Sequence, residues 1–481
     1  MKRRKFFLMA STGAVGITLA PSCERLKKES GLSGSKEPAG LVPGEEPPYR
    51  KVIKPSFGSG KIKSANDTIV VALIGAGSWG SHLMLQAAET SENFKVKYVC
   101  DVDDTRGGHL ILELEKKQGF KPARVRDMRK VFDDKEVDAV FIGTPEHWHA
   151  LATIWACQAG KDVYVEKCIS HNIYEGQKMI EAVMKYERVV QCGMHNRSET
   201  AALSARDYVG SGELGELVAV HVKSMLPGPI PFNEKEDSST PNTIDWDMWL
   251  GPAPKVPYNV SRNKSWHYYW DYGGGNALSN EAIHQLDMAR LILGNPGLPS
   301  SVYAAGGRYF FNDKRDFPDY QMVTYDFGKY VMSLEAGDCA PYLGKSGDDI
   351  RFGNAFPKWS HNGTRIEILG TKRMMHVGRM GGGWQVFDKG GEIVAQQSGL
   401  YNLKGHIQNF FDCVRSRKQP NADIVEGHKS SIFIHLANMS YRAGCKQLLF
   451  SPEHETVLND PKAQELIYGH YRKGFQIPKE V

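Results

Sequence analysis

Gly75, Gly77 and Gly80 stand in the order G-x-G-x-x-G directly after the apolar run Ile69 to Ile74, a spacing suited to holding a pyrophosphate. The first glycine permits a tight turn and the second lets the backbone approach the phosphates. The third lets the next helix pack on the strand, which leaves the phosphates at that helix's N-terminus beside Ser78 and Trp79. Alone the pattern is weak; its context strengthens it. A second apolar run, Val96 to Cys100, ends at Asp101, 21 residues past Gly80. A carboxylate there accepts hydrogen bonds from adenosine ribose hydroxyls and repels a 2′-phosphate, so NAD is expected over NADP, with Arg106 as the opposing feature. Three polar clusters follow later apolar runs: Thr144-Pro145-Glu146-His147-Trp148-His149, Glu166-Lys167, and Met194-His195-Asn196-Arg197.

The elements that must position these groups alternate. Apolar runs at Asp138 to Ile142, Asp162 to Val165 and Val189 to Cys192 are separated by helical patterns at Glu146 to Ala159 and Asn172 to Tyr186. Strands spaced by helices imply an α/β fold with a doubly wound parallel sheet. Ligands of such a sheet sit at the carboxyl ends of its strands, so the three polar clusters should meet in one crevice.

The combination GAGSWG, GTPEHWHA, AGKDVYVEK and YWDYGGGNALSNEAIHQLDMARLILG resembles the Gfo/Idh/MocA oxidoreductases over nearly all of residues 68 to 445. The resemblance implies an N-terminal Rossmann domain and a C-terminal α/β domain with an open, mostly antiparallel sheet that often forms an oligomer interface. It also implies hydride transfer between NAD(P) and a hydroxyl of a sugar, inositol or related alcohol. The family's Glu-Lys-Pro motif falls on Glu166-Lys167-Cys168, with Lys167 as the lysine that contacts the reacting hydroxyl and the nicotinamide. The bond after that lysine is often cis in the family; with cysteine in place of proline the cis form is disfavoured, so the local backbone is expected to differ. The family's Asp-x-x-x-His motif falls on Asn280 and His284, which at a spacing of four share a helix face. The resemblance makes His284 the base for the hydroxyl proton, whereas Asn280 can orient a group but cannot accept a proton.

The glycine fingerprint, the strand-end clusters and the resemblance together place the cofactor at Gly75, Gly77, Ser78, Trp79, Gly80, Asp101, Thr144, Pro145, His147, Trp148, His149, Glu166, Lys167, His195 and Asn196. Between Asp245 and Tyr272 lie four of the nine tryptophans, and flat rings beside polar groups suit the faces and edges of a pyranose. Arg262, Trp266 and Trp270 are therefore expected on the substrate with Lys167, Asn280 and His284. The remaining histidines form no recognisable metal triad.

Residues 1–23 have the order of a signal peptide: Lys2, Arg3, Arg4 and Lys5, an apolar run from Phe6 to Ala20, then small residues. Arg3-Arg4 followed by Lys5-Phe6-Phe7-Leu8 resembles a twin-arginine signal, which implies handling by that translocase and a periplasmic or extracytoplasmic location. Cys23 follows Leu19-Ala20-Pro21-Ser22, a degenerate lipoprotein site that would anchor the chain through lipid. Residues 24–66 read as a linker rich in Gly, Ser, Pro and Lys, 67–196 as the NAD-binding domain, 197–450 as the substrate and oligomerisation domain, and 451–481 as a tail. Residues 1–66 carry thirteen Lys or Arg against five Glu, so the net charge of +5 becomes −3 from Asp67 onward. That balance argues against a nucleic-acid partner. The eight cysteines include no C-x-x-C pair, which suits a chain that folds in the reducing cytosol before export. Because an exported dehydrogenase lacks a free NAD pool, a tightly bound cofactor is expected. The alternative reading is a redox-neutral glycoside hydrolase like family 109: oxidation at sugar C3, elimination, water addition and re-reduction.

Overall fold

The computed structural model describes Ser64 and residues 67–90, 93–228 and 231–481. The leader expected over 1–23, its Cys23 and all of the 24–66 linker except Ser64 lie outside the described residues. Six parallel strands form the first sheet: β1 (Ile69–Ile74), β2 (Phe94–Cys100), β3 (Ala123–Val125), β4 (Ala139–Ile142), β5 (Asp162–Val165) and β6 (Val190–Cys192). Their order is β3-β2-β1-β4-β5-β6, so the winding direction reverses between β1 and β4. β1, β4 and β5 are buried almost throughout, which explains why they read as continuous apolar runs: helices cover both faces of a parallel sheet. The reversal opens a crevice at the carboxyl ends of β1 and β4, where an open α/β sheet binds its ligand.

The second sheet has ten strands: β7 (Leu217–Met225), β8 (Ser301–Gly307), β9 (Tyr320–Asp326), β10 (Val331–Gly337), β11 (Arg365–Gly370), β12 (Met374–Gly378), β13 (Trp384–Phe387), β14 (Ile393–Gln397), β15 (Leu448–Ser451) and β16 (Thr456–Val457). They are ordered β14-β13-β12-β11-β7-β10-β9-β8-β15-β16. Every pairing is antiparallel except β7 with β10. Burial alternates along the central strands, with Val220 and Val222, Val323 and Tyr325, and Met332 and Leu334 turned inward, as expected for a sheet with one face covered. The buried face packs on the helices Ile283–Ile292 and Ile424–Arg442, with Tyr325 donating to the Phe433 carbonyl at 2.8 Å.

Two later segments return to the first sheet. The helix Leu403–Ser416 lays Phe410 and Phe411 against Phe141 of β4, and His406 Nε2 lies 3.0 Å from the Cys192 carbonyl. The final residues form an ordered strap, with Phe475 edge-on to Trp148 at 5.7 Å and Arg472 donating to the Gly251 carbonyl at 2.9 Å. Among the described residues no helix is long and apolar enough to cross a membrane.

Candidate active site

The glycine turn follows from sterics. Gly75 has φ +89°, and a Cβ on it would fall 2.7 Å from the backbone of Gly143 and Thr144; a Cβ on Gly80 would fall 2.1 Å from the Gly75 carbonyl oxygen. Only glycine allows β1, the end of β4 and the helix Ser78–Thr90 to approach this closely. A cleft of about 260 Å³ opens in front of the turn. Asp101 reaches it from the end of β2, with Oδ2 accepting from Ala76 N–H at 2.7 Å and Oδ1 from Asp103 N–H at 2.9 Å. Ser78, Trp79, Thr144 and Pro145 line the same cleft. Glycine backbone, helix N-terminus and carboxylate together fit a dinucleotide: pyrophosphate at the turn, ribose at Asp101.

At the other end of the cleft stand Glu166, Lys167, Trp266 and Asn280. Lys167 Nζ donates to Asn280 Oδ1 at 2.7 Å and to the Asn280 carbonyl at 2.9 Å. The Lys167–Cys168 peptide bond is cis, so replacement of the family's proline has not altered that isomer as the sequence led one to expect. Glu166 is buried, and burial raises its carboxyl above the usual range against the pull of Lys167. Asn280 does not sit on a regular α-helix: Gly275–Ala282 forms a wider, π-type turn that runs into the helix Ile283–Ile292, an irregularity often found at functional sites.

His284 is buried against His195, their ring centroids 4.6 Å apart, and His284 Nδ1 has no hydrogen-bond partner among the described residues. Burial, followed by the charges of Arg379, His195 and Lys167, pulls the His284 imidazole well below its ordinary value. It is therefore neutral near pH 7 and able to accept a proton, but neither His284 nor His195 is among the residues that line the cleft. Trp148 borders the cleft and points its indole N–H at the carbonyls of Met248 and Trp249.

Other expected residues stand elsewhere. His147 is buried with Nε2 3.0 Å from the Trp249 carbonyl. His149 has its two ring nitrogens beside carbonyls, Nδ1 2.5 Å from that of Cys168 and Nε2 2.8 Å from that of Thr144, and its single N–H donates to one of them. Neither lines the cleft; they brace its backbone, because the turn after β4 directs these rings into the protein. Asn196 bonds Glu199 at 3.2 Å outside the cleft lining. Arg262 lies over the Tyr269 ring at 4.9 Å. Trp270 packs on Phe317 and beneath Arg442, beside a separate small depression. Of the aromatic cluster's expected substrate residues, only Trp266 reaches the cleft.

Two residues take parts that the sequence did not assign them: Glu146 stood only within a polar cluster, and Arg106 only as the feature opposing NAD. Glu146 is buried behind the cleft, accepts from Ser279 Oγ at 2.7 Å and Gly274 N–H at 2.9 Å, and is pushed up to about 7 by burial. It ties the end of β4 to the π-type turn; its place inside GTPEHWHA was the available signal. Arg106 lies over the glycine turn, with Nη1 3.1 Å from where a Gly77 Cβ would stand, and is held by Asn263 Oδ1 at 2.7 Å. Asn263 is distant in sequence, so no local pattern could have paired them.

Comparison with known families supplies the remaining observation. Residues 69–194 match the Gfo/Idh/MocA oxidoreductase family's NAD-binding Rossmann fold, and residues 230–308 and 391–477 match its C-terminal alpha/beta domain. The chain belongs to the Gfo/Idh/MocA oxidoreductase family. Among curated members, levoglucosan dehydrogenase of Pseudarthrobacter phenanthrenivorans is 26% identical over 185 residues, covering 38% of this chain and 40% of that protein. Inositol 2-dehydrogenase of Salmonella typhimurium is 27% identical over 165 residues, covering 34% and 48%. The match thus spans less than half the length of these two relatives. Among solved Gfo/Idh/MocA-like folds, the WlbA dehydrogenase from Bordetella pertussis, in complex with NADH and UDP-GlcNAcA, aligns with a TM-score of 0.57 at 17% identity, covering 80% of this chain and 99% of that one. The aldose-aldose oxidoreductase from Caulobacter crescentus, complexed with glycerol, aligns with a TM-score of 0.58 at 17% identity, covering 80% and 100%. At these identities the likeness is one of fold.

Proposed function

We propose that this protein oxidises a secondary hydroxyl of a sugar, glycoside or polyol, with NAD held between the glycine turn and Lys167. The observation that carries the reading is the Lys167–Asn280 contact of 2.7 Å inside the cleft that the glycine turn lines, with His284 beside it. Bound NAD supplies a hydride acceptor. The chain's own residues do the rest. Asn280 aims the Lys167 amine, whose one remaining hydrogen can meet the substrate oxygen and oppose negative charge that grows there as the O–H bond breaks. His284, kept neutral by burial and neighbouring cations, accepts the hydroxyl proton. Trp266 gives an apolar sugar face a surface at the cleft mouth. The curated relatives named for levoglucosan and inositol support the substrate class.

We place the protein outside the cytoplasm, with a cofactor bound tightly before export and a lipid anchor at Cys23; the leader sequence and the free state of all seven described cysteines support this. A homo-oligomer built on the open sheet face fits the half-exposed Val218, Tyr303 and Val331.

The test is turnover with a panel of sugars and inositols, followed by the near-ultraviolet absorbance of reduced nicotinamide, alongside release of any cofactor carried through purification. Substrate-dependent reduction is expected. Release of nitrophenol from nitrophenyl glycosides without net reduction would replace the proposal with the redox-neutral hydrolytic cycle.

A further inference from the structure

Next to Asn280, where the lining of the cleft ends, cations from the second sheet gather around Glu281 and His284. Glu281, next to Asn280, is a buried carboxylate gripped at once by Arg379, at the end of β12, and by Lys345, on the loop after β10. Those two and Lys167 hold its carboxyl down at about 2 despite burial. Arg351 is close enough to act on both Lys345 and Tyr401. The donors exceed their acceptors: Arg379 Nε and Arg351 Nε are buried and meet no acceptor among the described residues. The same holds for the neighbouring His195 Nε2 and Tyr401 hydroxyl, with Tyr401 edge-on to His195 at 5.0 Å.

Charge points the same way as hydrogen bonding. Lys167 lies against amide oxygens rather than a carboxylate, because Asn280 stands where the family motif has Asp. Four cations, Lys167, Lys345, Arg351 and Arg379, face four carboxyls, Glu281, Glu166, Glu199 and Glu146. Three of the four resist ionisation: burial raises Glu166 and brings Glu146 and Glu199 up to about 7. A buried guanidinium nitrogen without an acceptor is costly, and an arginine fork is well shaped for a carboxylate. Solvent reaches the edge of this cluster at Lys345, whose side chain is 31% exposed.

We infer that the substrate is an anionic sugar, a uronic-acid type whose carboxylate is received by Arg379 with Lys345 and Arg351 while its ring hydroxyl lies at Lys167 and His284. The inference rests on the dehydrogenase reading of the cleft and narrows its substrate class. Of the anions that sugars carry, the carboxylate is the planar one an arginine fork pairs with on two parallel hydrogen bonds.

The experiment uses the full chain loaded with NAD and matched pairs: glucuronate against glucose, galacturonate against galactose, their methyl glycosides, and glucose 6-sulfate. Calorimetry gives affinity and reduced-nicotinamide absorbance gives KM and kcat. The acid of each pair is expected to bind at least about tenfold more tightly than its neutral partner. Arg379→Gln should erase most of that preference, and Arg379→Lys should restore part of it. Titration with NADH, whose site lies at the other end of the cleft, shows that each variant is folded. A 6-sulfate bound as well as the uronate would make the recess a general anion site and overturn the carboxylate assignment. Neutral sugars turned over with no preference for acids would overturn the inference and leave the dehydrogenase reading standing. Acids bound through Arg379 but never oxidised would overturn the dehydrogenase reading and leave the recess standing. Neither binding nor turnover would sink both.

Discussion

Lys167 is held by two oxygens of one residue, Asn280, and this sets what each substitution should do. Lys167→Ala removes the amine that contacts Asn280 inside the cleft and should lower kcat by about 10²- to 10⁴-fold, the range for losing a positioned proton-handling group. NADH binding, read by fluorescence titration, should change little, because the glycine turn and Asp101 are untouched. Asn280→Ala leaves the backbone carbonyl to hold the lysine, so a loss of about 10- to 100-fold is expected, that of one hydrogen bond to a charged group. A greater loss for Asn280→Ala than for Lys167→Ala would show that the amide, not the amine, faces substrate. His284 carries a pH signature. Its imidazole is pulled well below 6.5, so it stays neutral at pH values where a free histidine would protonate. Within the range where the protein remains folded, kcat/KM should hold level through pH 6.5 and fall only well below it. An acid limb centred at or above 6.5 would assign the base to another group.

The glycine turn and the π-type turn are the two elements that bring these groups together. Gly80→Ala would drive a methyl to 2.1 Å from the Gly75 carbonyl oxygen, so strand and helix must separate. Overpacking of this kind costs about 1–3 kcal/mol. Weaker NADH binding by at least tenfold, with a lower melting temperature, is the expected outcome; unchanged NADH affinity would mean that the dinucleotide does not use this turn. These elements also differ in how far they could be read beforehand. β1, β4 and β5 were legible because both faces of each are buried, which leaves an apolar signature in four to six consecutive residues. β3 was not, because Ala123–Val125 is a three-residue edge strand whose exposed alanine and half-buried arginine write no pattern. The pairing of Asn280 with His284 was visible as a spacing of four, but the same spacing is silent about whether the backbone is α or π. The histidines of GTPEHWHA were legible as site residues and then turned away from the cleft, because their partners are backbone carbonyls of Thr144, Cys168 and Trp249, which carry no residue-type signal. Arg379 and Lys345 come to Glu281 only through the second sheet, so their role needed the fold itself.

Across the whole molecule the two sheets are locked by segments that run from one to the other. The helix Ile424–Arg442 packs on both β8 and the helix Ile173–Tyr186, and the final strap returns to Trp148 and Gly251. This long-range closure buries imidazoles and carboxyls deeply, and pH should reveal it. Burial brings His147 and His435 down to about 3 and His149 and His406 to about 4, while His195 and His284 lie well below 6.5. Each binds a proton on unfolding that it refuses when folded, so its contribution is present above pH 6.5 and is lost as pH falls toward the folded value. Glu146, Glu175 and Glu199, raised to about 7 from 4.5 by burial, act in the opposite sense: their contribution is present below pH 4.5 and lost as pH rises through 7. Between pH 4.5 and 6.5 seven strongly lowered imidazoles, His267 at about 4 included, oppose three strongly raised carboxyls, and the imidazoles win. Stability should therefore fall by at least about 2 kcal/mol from pH 7 to pH 5, since a tenfold difference in proton affinity between the folded and unfolded chain is worth about 1.4 kcal/mol. Calorimetric melts at the two pH values, in one buffer of constant ionic strength, measure this directly. A melting temperature that stayed level or rose at pH 5 would mean that the histidines reach water in the folded state, and that the two sheets close less tightly around the cleft than their contacts imply.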